Sequence, residues 1–400
     1  MKIKELLWQI EPDVYGLYRA LHENPELGMR EYCTSARVEG MLRKPGLCDE
    51  IQHIGETGLL AVLRGKKTGT GKSLLLRGDM DALPVTEDPD HDPRSQNEGV
   101  MHACGHDAHT AILLGTLQLL KAYQENFAGS IFFYFQPAEE TLGGAKLLLE
   151  TDQIDLNEIG GVAACHVMPD LYGGEIGLKY GAIQAGVDQF TITVEGRGGH
   201  GAHPYTTVDP IATAVQIVNQ LQYLVSREVS ALDSAVVSVC SIHSDGDAFN
   251  VIPDRVRMKG TLRALKKETR DHLRKRLSQI AEGVAQTNRA SARVELTEGP
   301  PPLENDDDWV ERTKLSAGRL IGPENVILLE SGTMGAEDFA YIRERYPGVF
   351  VRIGCRSEGK EFTPIHSGRF RVDRKALSTG MLTLGGIALD YLGVDERIYL

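Results

Sequence analysis

No C-x-x-C pair occurs among the six cysteines (Cys33, Cys48, Cys104, Cys165, Cys240, Cys355), and their spacing forms no regular framework. That excludes a disulfide-built scaffold; in a chain of 400 residues, reduced thiols and a cytoplasmic setting are expected. No apolar run approaches the roughly 18 residues needed to span a bilayer. The opening segment, Lys2 to Trp8, is amphipathic with an early acid and has no apolar stretch of the signal-peptide kind. A membrane partner is not expected. Positive charge is outweighed, with 43 Lys and Arg against 56 Asp and Glu and a formal net charge of −13. Nucleic acid is thereby excluded as a partner, because phosphate binding needs clustered basic residues. The basic residues between Arg263 and Arg276 are interleaved with acids and read as a solvated helix face. Neither H-E-x-x-H nor G-x-S-x-G is present, which removes the thermolysin-type zinc site and the usual serine-hydrolase elbow. Gly69-Thr70-Gly71-Lys72-Ser73 is not a phosphate loop: its upstream glycine is one place off at Gly65, and it enters a strand where such a loop must open a helix.

What is present is a set of divalent-metal donors at the ends of separate apolar runs. Cys104 and His106 precede a helix-like stretch, Glu139 and Glu140 follow the β-type run Ile131 to Phe135, His166 closes Gly161 to Cys165, and His366 follows Val349 to Ile353. In an open α/β sheet the carboxyl ends of the strands define the ligand crevice. A thiol, three imidazoles and paired carboxylates converging there suit a metal centre with one carboxylate left over for acid–base work. Gly105 lets a tight loop turn Cys104 and His106 toward one point. Asp107 is a candidate helix cap. Asp79 and Asp81, at i and i+2 after the strand Leu74 to Leu76, either bind metal or orient a histidine that does. His200, flanked by glycines in Gly198 to Pro204, suits polarisation of a substrate better than core packing.

Helical spacing in residues 1 to 45 is broken at Pro25. Strand-like and helix-like runs then alternate, which predicts a mostly parallel sheet flanked by helices. From about Val187 the order becomes β-α-β-β-α-β: Gln189 to Glu195, Asp209 to Ser226, Ala235 to Ile242, Arg255 to Leu262, Thr269 to Ala285, Ala292 to Leu296. That is the ferredoxin-like pattern, and it ends at Gly299-Pro300-Pro301-Pro302. The expected organisation is a discontinuous catalytic domain over 1–186 and 301–400, with an inserted α+β lid or dimerisation domain over 187–300.

His22 to Leu27, Arg77 to Pro84, Met101 to Ala111, Gln136 to Glu140, Gly198 to Pro204, Asn250 to Pro253, Met334 to Phe339 and His366 to Phe370 span nearly the whole chain. Together these segments resemble the aminoacylase and glutamate-carboxypeptidase family of dinuclear metallohydrolases, in its branch of N-acyl-amino-acid amidohydrolases that includes the auxin-conjugate hydrolases. The resemblance implies a zinc-exopeptidase-like catalytic domain. It implies two divalent ions (Mn²⁺ or Zn²⁺, with Co²⁺ or Ni²⁺ compatible) held by Cys104, His106, Glu140, His166 and His366. Glu139 would be the general base, Asp81 would orient a ligand, and His200 would polarise the scissile carbonyl, in its own chain or across a dimer. Asn250 and Arg263 would hold the substrate carboxylate. The implied reaction is hydrolysis of N-acyl amino acids by a homodimer, with a dipeptidase or carboxypeptidase, or an N-acetyldiaminopimelate-type deacetylase, as the alternatives. Two positions depart from the branch: Ala164-Cys165 stands where Gly-Leu is commoner, and the loop Asp88 to Gly99 lacks the usual Tyr or Phe.

Overall fold

A computed structural model of the chain describes residues 2–152 and 155–400. They divide into two compact units, Met1–Gly181 with Glu304–Ser331 and Tyr341–Leu400, and Ala182–Leu303 with Gly332–Ala340.

The first unit is built on an eight-stranded sheet in the order Glu50–Ile54, Gly58–Arg64, Ser130–Gln136, Leu74–Asp79, Gly161–Tyr172, Gly348–Arg356, Ile176–Leu178, Val326–Leu328. The four middle strands, from Ser130–Gln136 to Gly348–Arg356, run parallel. They are almost entirely buried, and their near-continuous apolar sequence is what a strand covered on both faces requires. Helices Ile3–His22, His106–Lys121 and Lys375–Tyr391 pack on one another. A Cβ on Gly115 would fall 2.2 Å from Met381 Sδ, and one on Gly380 would fall 2.6 Å from Ile112, so glycine allows this close helix crossing. Helix His106–Lys121 is buried nearly all round and cannot unwind without exposing the core. Cys165 is packed in the same core.

The second unit has a four-stranded antiparallel sheet in the order Ala235–Ser244, Arg255–Ala264, Gly186–Glu195, Ser291–Glu298. Helices Pro210–Tyr223 and Lys267–Thr287 pack against it. Numbered along the chain, this is strand order 2-3-1-4, the ferredoxin-like arrangement. Asp209 caps the first helix, its carboxylate accepting from the Ile211 and Ala212 amides, with Pro210 pre-set in the first turn. Arg270 is buried and grips Asp188 through Nε (2.9 Å) and Nη2 (2.7 Å), a bidentate pair that ties helix to sheet.

The unit limits differ from the expected ones. Residues 332–340, read in the sequence with the catalytic domain, belong with the second unit. The cause is a set of contacts remote in sequence: the Thr333 amide donates to Ile183 O, the Ala185 amide donates to the Thr333 and Gly335 carbonyls, and Arg263 Nη1 donates to Met334 O at 2.8 Å.

Candidate metal centre

The first unit gathers Cys104, His106, Glu139, Glu140, His166 and His366. Cys104 Sγ lies 3.3 Å from His166 Nε2 and 3.3 Å from His366 Nε2. His366 Nε2 is 3.3 Å from Glu140 Oε1, and His106 Nε2 is 3.9 Å from the same oxygen. Two donor triads share the thiol, Cys104–His106–His166 and Cys104–Glu140–His366, while Glu139 groups with His106 and Glu140.

The scaffold explains this convergence. Gly105, with φ +85°, reverses the chain between Cys104 and His106, and a side chain there would collide with Val167. Helix His106–Lys121 starts at His106 itself. Asp107 therefore lies inside the first turn and does not act as the N-cap residue, and its Oδ2 is committed to His22. His166 lies within the strand Gly161–Tyr172, not at its end, because the strand continues past it. His366 has φ +64° and donates its amide to Ala103 O at 2.8 Å, which ties its loop to the Cys104 loop.

Asp81 organises the site. Its Oδ1 lies 3.1 Å from His106 Nδ1 and accepts the Glu139 amide, and its Oδ2 accepts the Glu140 amide, both at 3.0 Å. A proton on His106 Nδ1 toward Asp81 leaves the lone pair on Nε2, which is buried and has no hydrogen-bond partner among the described residues. Asp79 does different work. It pairs with buried Arg77 (2.6 Å) and with His109 Nδ1 (2.6 Å), and His109 Nε2 accepts the Val167 amide. Both His109 nitrogens are thus engaged, so Asp79 and His109 form a brace under the site. Spacing alone does not distinguish the bracing His109 from its neighbours His102 and His106.

Burial, with His109 and His106 nearby, holds His166 well below the usual imidazole range, in the neutral form that binds metal. Burial raises the Cys104 thiol. Burial would raise Glu140 too, but His366 and the charge of His106 hold it below the usual carboxylate range. His366 is pushed up to about 10 by Cys104 and Glu140. An unpartnered buried imidazole nitrogen, a shared thiol and adjacent acids in one cluster fit a pair of divalent cations, whose charge would offset the cost of gathering anionic donors.

Of the other sequence-derived candidates, His200, Asn250 and Arg263 belong to the second unit. His200 is exposed, pairs through its backbone with Val251, and accepts the Ala202 amide on Nδ1 at 3.0 Å. Asn250 O accepts the Gly201 amide, so Asn250 and His200 sit on neighbouring turns.

A second buried network went unread in the sequence. His22 Nδ1 meets Asp107 Oδ2 and His22 Nε2 meets Glu87 Oε1, each at 2.6 Å, with His91 stacked at 4.7 Å and Tyr18 and His102 alongside. Burial alone would lower the His22 pKa, but Asp107 and Glu87 outweigh it and raise it from 6.5 to about 9. A raised folded-state pKa gives stability that is complete below pH ~6.5 and lost as pH climbs through about 9. The stability gap between wild type and His22→Gln is therefore expected to shrink by about 3 kcal/mol between pH 6 and pH 10. Denaturant midpoints at both pH values test this; an unchanged gap rules out a charged His22.

Comparison with known proteins agrees with this geometry. The description of peptidase family M20/M25/M40 matches residues 75–390. The chain is 38% identical over 365 residues to N-acetylcysteine deacetylase of Bacillus subtilis (strain 168), covering 91% of this chain and 92% of the relative. It is 37% identical over 382 residues to an IAA-amino acid hydrolase of Arabidopsis thaliana, covering 94% and 85%. The crystal structure of a dinuclear metal-binding peptidase of the M20 family from Bacillus subtilis superposes with a TM-score of 0.84 at 33% identity, covering 97% of this chain and 99% of that one. With its donors gathered on one unit and its similarity running nearly end to end, this chain belongs to peptidase family M20/M25/M40.

Proposed function

We propose that this protein is a metal-dependent amidohydrolase that cleaves N-acyl amino acids, N-acetyl ones among them, to a carboxylate and a free amino acid. The observation that carries this reading is the meeting of two donor triads at Cys104 with Glu139 beside them. Similarity to enzymes named for N-acyl amino acid substrates gives the reading its substrate class.

In this reading Cys104, His106, Glu140, His166 and His366 hold two divalent cations, manganese or zinc, with cobalt or nickel also compatible with the mixed donors. The thiolate favours zinc on softness. Such cations supply Lewis acidity, lowering the pKa of water and stabilising charge on the carbonyl oxygen. Glu139 accepts the proton of the attacking water and returns it to the leaving nitrogen. Asp81 fixes the Glu139 turn and the His106 tautomer. His200 polarises the scissile carbonyl, and Asn250 and Arg263 hold the substrate carboxylate. A homodimer through the second unit is supported by the strand Ala235–Ser244, which ends its sheet and exposes Ile242. No helix among the described residues is long and apolar enough to cross a membrane, and the reduced-thiol reading supports a cytoplasmic enzyme.

The test is to strip the protein of metal, reload it with Mn²⁺, Zn²⁺, Co²⁺ or Ni²⁺, and assay each form on N-acetyl amino acids, longer N-acyl amino acids and dipeptides. The expected result is metal-restored cleavage of N-acyl amino acids with kcat/KM at least about tenfold above any dipeptide, a difference of about 1.4 kcal/mol in the barrier. Preference for substrates with a free α-amino group would replace this reading with a dipeptidase.

A further inference from the structure

The turn that carries Glu139 and Glu140 leaves the strand Ser130–Gln136 through Pro137 and Ala138. Ala138 has φ +55°, the left-handed region that an L-residue occupies only under constraint. Three successive amides of this turn each donate to a carboxylate oxygen. Those of Glu139 and Glu140 go to Asp81, and that of Ala138 goes to Glu31 Oε1 at 2.8 Å. Glu31 is fully buried and lies just before the helix Tyr32–Leu42. Its remaining partners are the Met29 amide (3.1 Å) and Thr57 Oγ1 (2.8 Å), the latter in the turn between Glu50–Ile54 and Gly58–Arg64.

No cation pairs with Glu31 among the described residues. The Met29 and Ala138 amides and the Thr57 hydroxyl are all neutral donors. A buried carboxylate with no counter-charge is costly, and joining three segments of the fold would not demand one. What a carboxylate adds is a stronger grip on an amide, since charge-assisted hydrogen bonds are roughly twice as strong as neutral ones. That grip falls on the one strained residue next to Glu139. A one-residue relaxation of Ala138 to negative φ would redirect the chain at Glu139, and small errors in the position of a reacting group are expensive in rate.

We propose that Glu31 is a positioning residue for the reaction: by holding the Ala138 amide it keeps the turn left-handed and sets the direction in which the Glu139 side chain leaves it. The inference rests on the reading of Glu139 as the proton acceptor. Asp81 and Glu31 divide the work, Asp81 fixing the two amides that follow and Glu31 the one strained amide before them.

The experiment compares wild type, Glu31→Ala, Glu31→Gln and Glu31→Ala with Ala138→Gly, using amide hydrogen exchange of the metal-free proteins, metal content after loading, and kcat and KM on an N-acyl amino acid. In Glu31→Ala, exchange in a peptide spanning 136–143 is expected to rise at least about tenfold while the helix Lys375–Tyr391 keeps its protection. In the same variant kcat is expected to fall about 10- to 100-fold, with KM within about threefold and metal content unchanged. Glycine at 138 needs no carboxylate to stay left-handed, so the double variant is expected to recover at least about a third of the lost kcat on a logarithmic scale. Unchanged exchange in 136–143, a kcat equal to wild type, loss of metal in proportion to activity, or no recovery in the double variant would each overturn the proposal. If Glu31→Ala does not fold, Glu31→Gln, which keeps the volume and one acceptor oxygen, is read by the same measures. Wild type inactive on N-acyl amino acids would refute the substrate reading alone, because the exchange comparison does not depend on it.

Discussion

Replacing Glu139 with glutamine is expected to lower kcat by about three orders of magnitude and leave the bound metal in place. General acid–base catalysis by a positioned side chain contributes roughly 10²- to 10⁴-fold, and glutamine keeps the size and shape of glutamate while losing its capacity to take a proton. The variant should fold unchanged, because the turn is held by backbone amides: Glu139 N to Asp81 Oδ1 does not depend on the side chain. Metal should stay, because the two triads that share Cys104 include Glu140 and not Glu139. KM should change little, since the lost interaction is realised only as the proton moves, so kcat and kcat/KM should fall together. Steady-state kinetics with elemental analysis on the same preparation provide the check. Activity within about tenfold of wild type, ~1.4 kcal/mol of barrier, would transfer the proton-acceptor role to another group.

The gathering of Cys104, His106, Glu140, His166 and His366 was legible because each donor precedes, follows or closes an apolar run in the sequence and parallel strands bring such runs side by side, although His166 lies inside its strand and not at the end. Four features were not legible. The roles of Asp79 and Asp81 diverge although they are two residues apart: Asp79 faces the buried Arg77 and His109, while Asp81 has passed the strand end and meets the Glu139 and Glu140 amides. Spacing says they share a side but not what lies opposite. Glu31 carries little local signal, since apart from the Met29 amide its partners, at Thr57 and Ala138, are 26 and 107 residues away. The strands Glu50–Ile54, Ile176–Leu178 and Val326–Leu328 are short and lie toward the sheet edges, where pairing and not periodicity defines them. Segment 332–340 likewise joins the second unit through single backbone bonds that no composition shift announces.

Cys104→Ala should strip both cations, while His166→Ala and His366→Ala should each retain one. The prediction follows from connectivity: Cys104 is common to both triads, whereas His166 belongs to one and His366 to the other. Its Sγ lies the same 3.3 Å from each of those imidazoles, and the residue is buried, so no solvent ligand stands ready to replace it. Loss of even an outer partner of a metal ligand typically weakens binding 10- to 100-fold, and loss of a shared ligand is expected to exceed that, at least about a hundredfold for each ion. Serine at 104 separates two contributions. It restores an oxygen donor of similar position but not the soft thiolate that favours zinc, so it should recover manganese binding better than zinc binding. Metal stoichiometry after dialysis against buffered free metal, measured for the alanine and serine variants, decides the matter. Full retention of both ions in Cys104→Ala would show that the thiol is a packed bystander between two histidines that bind elsewhere, and the dinuclear reading of this cluster would fall with it.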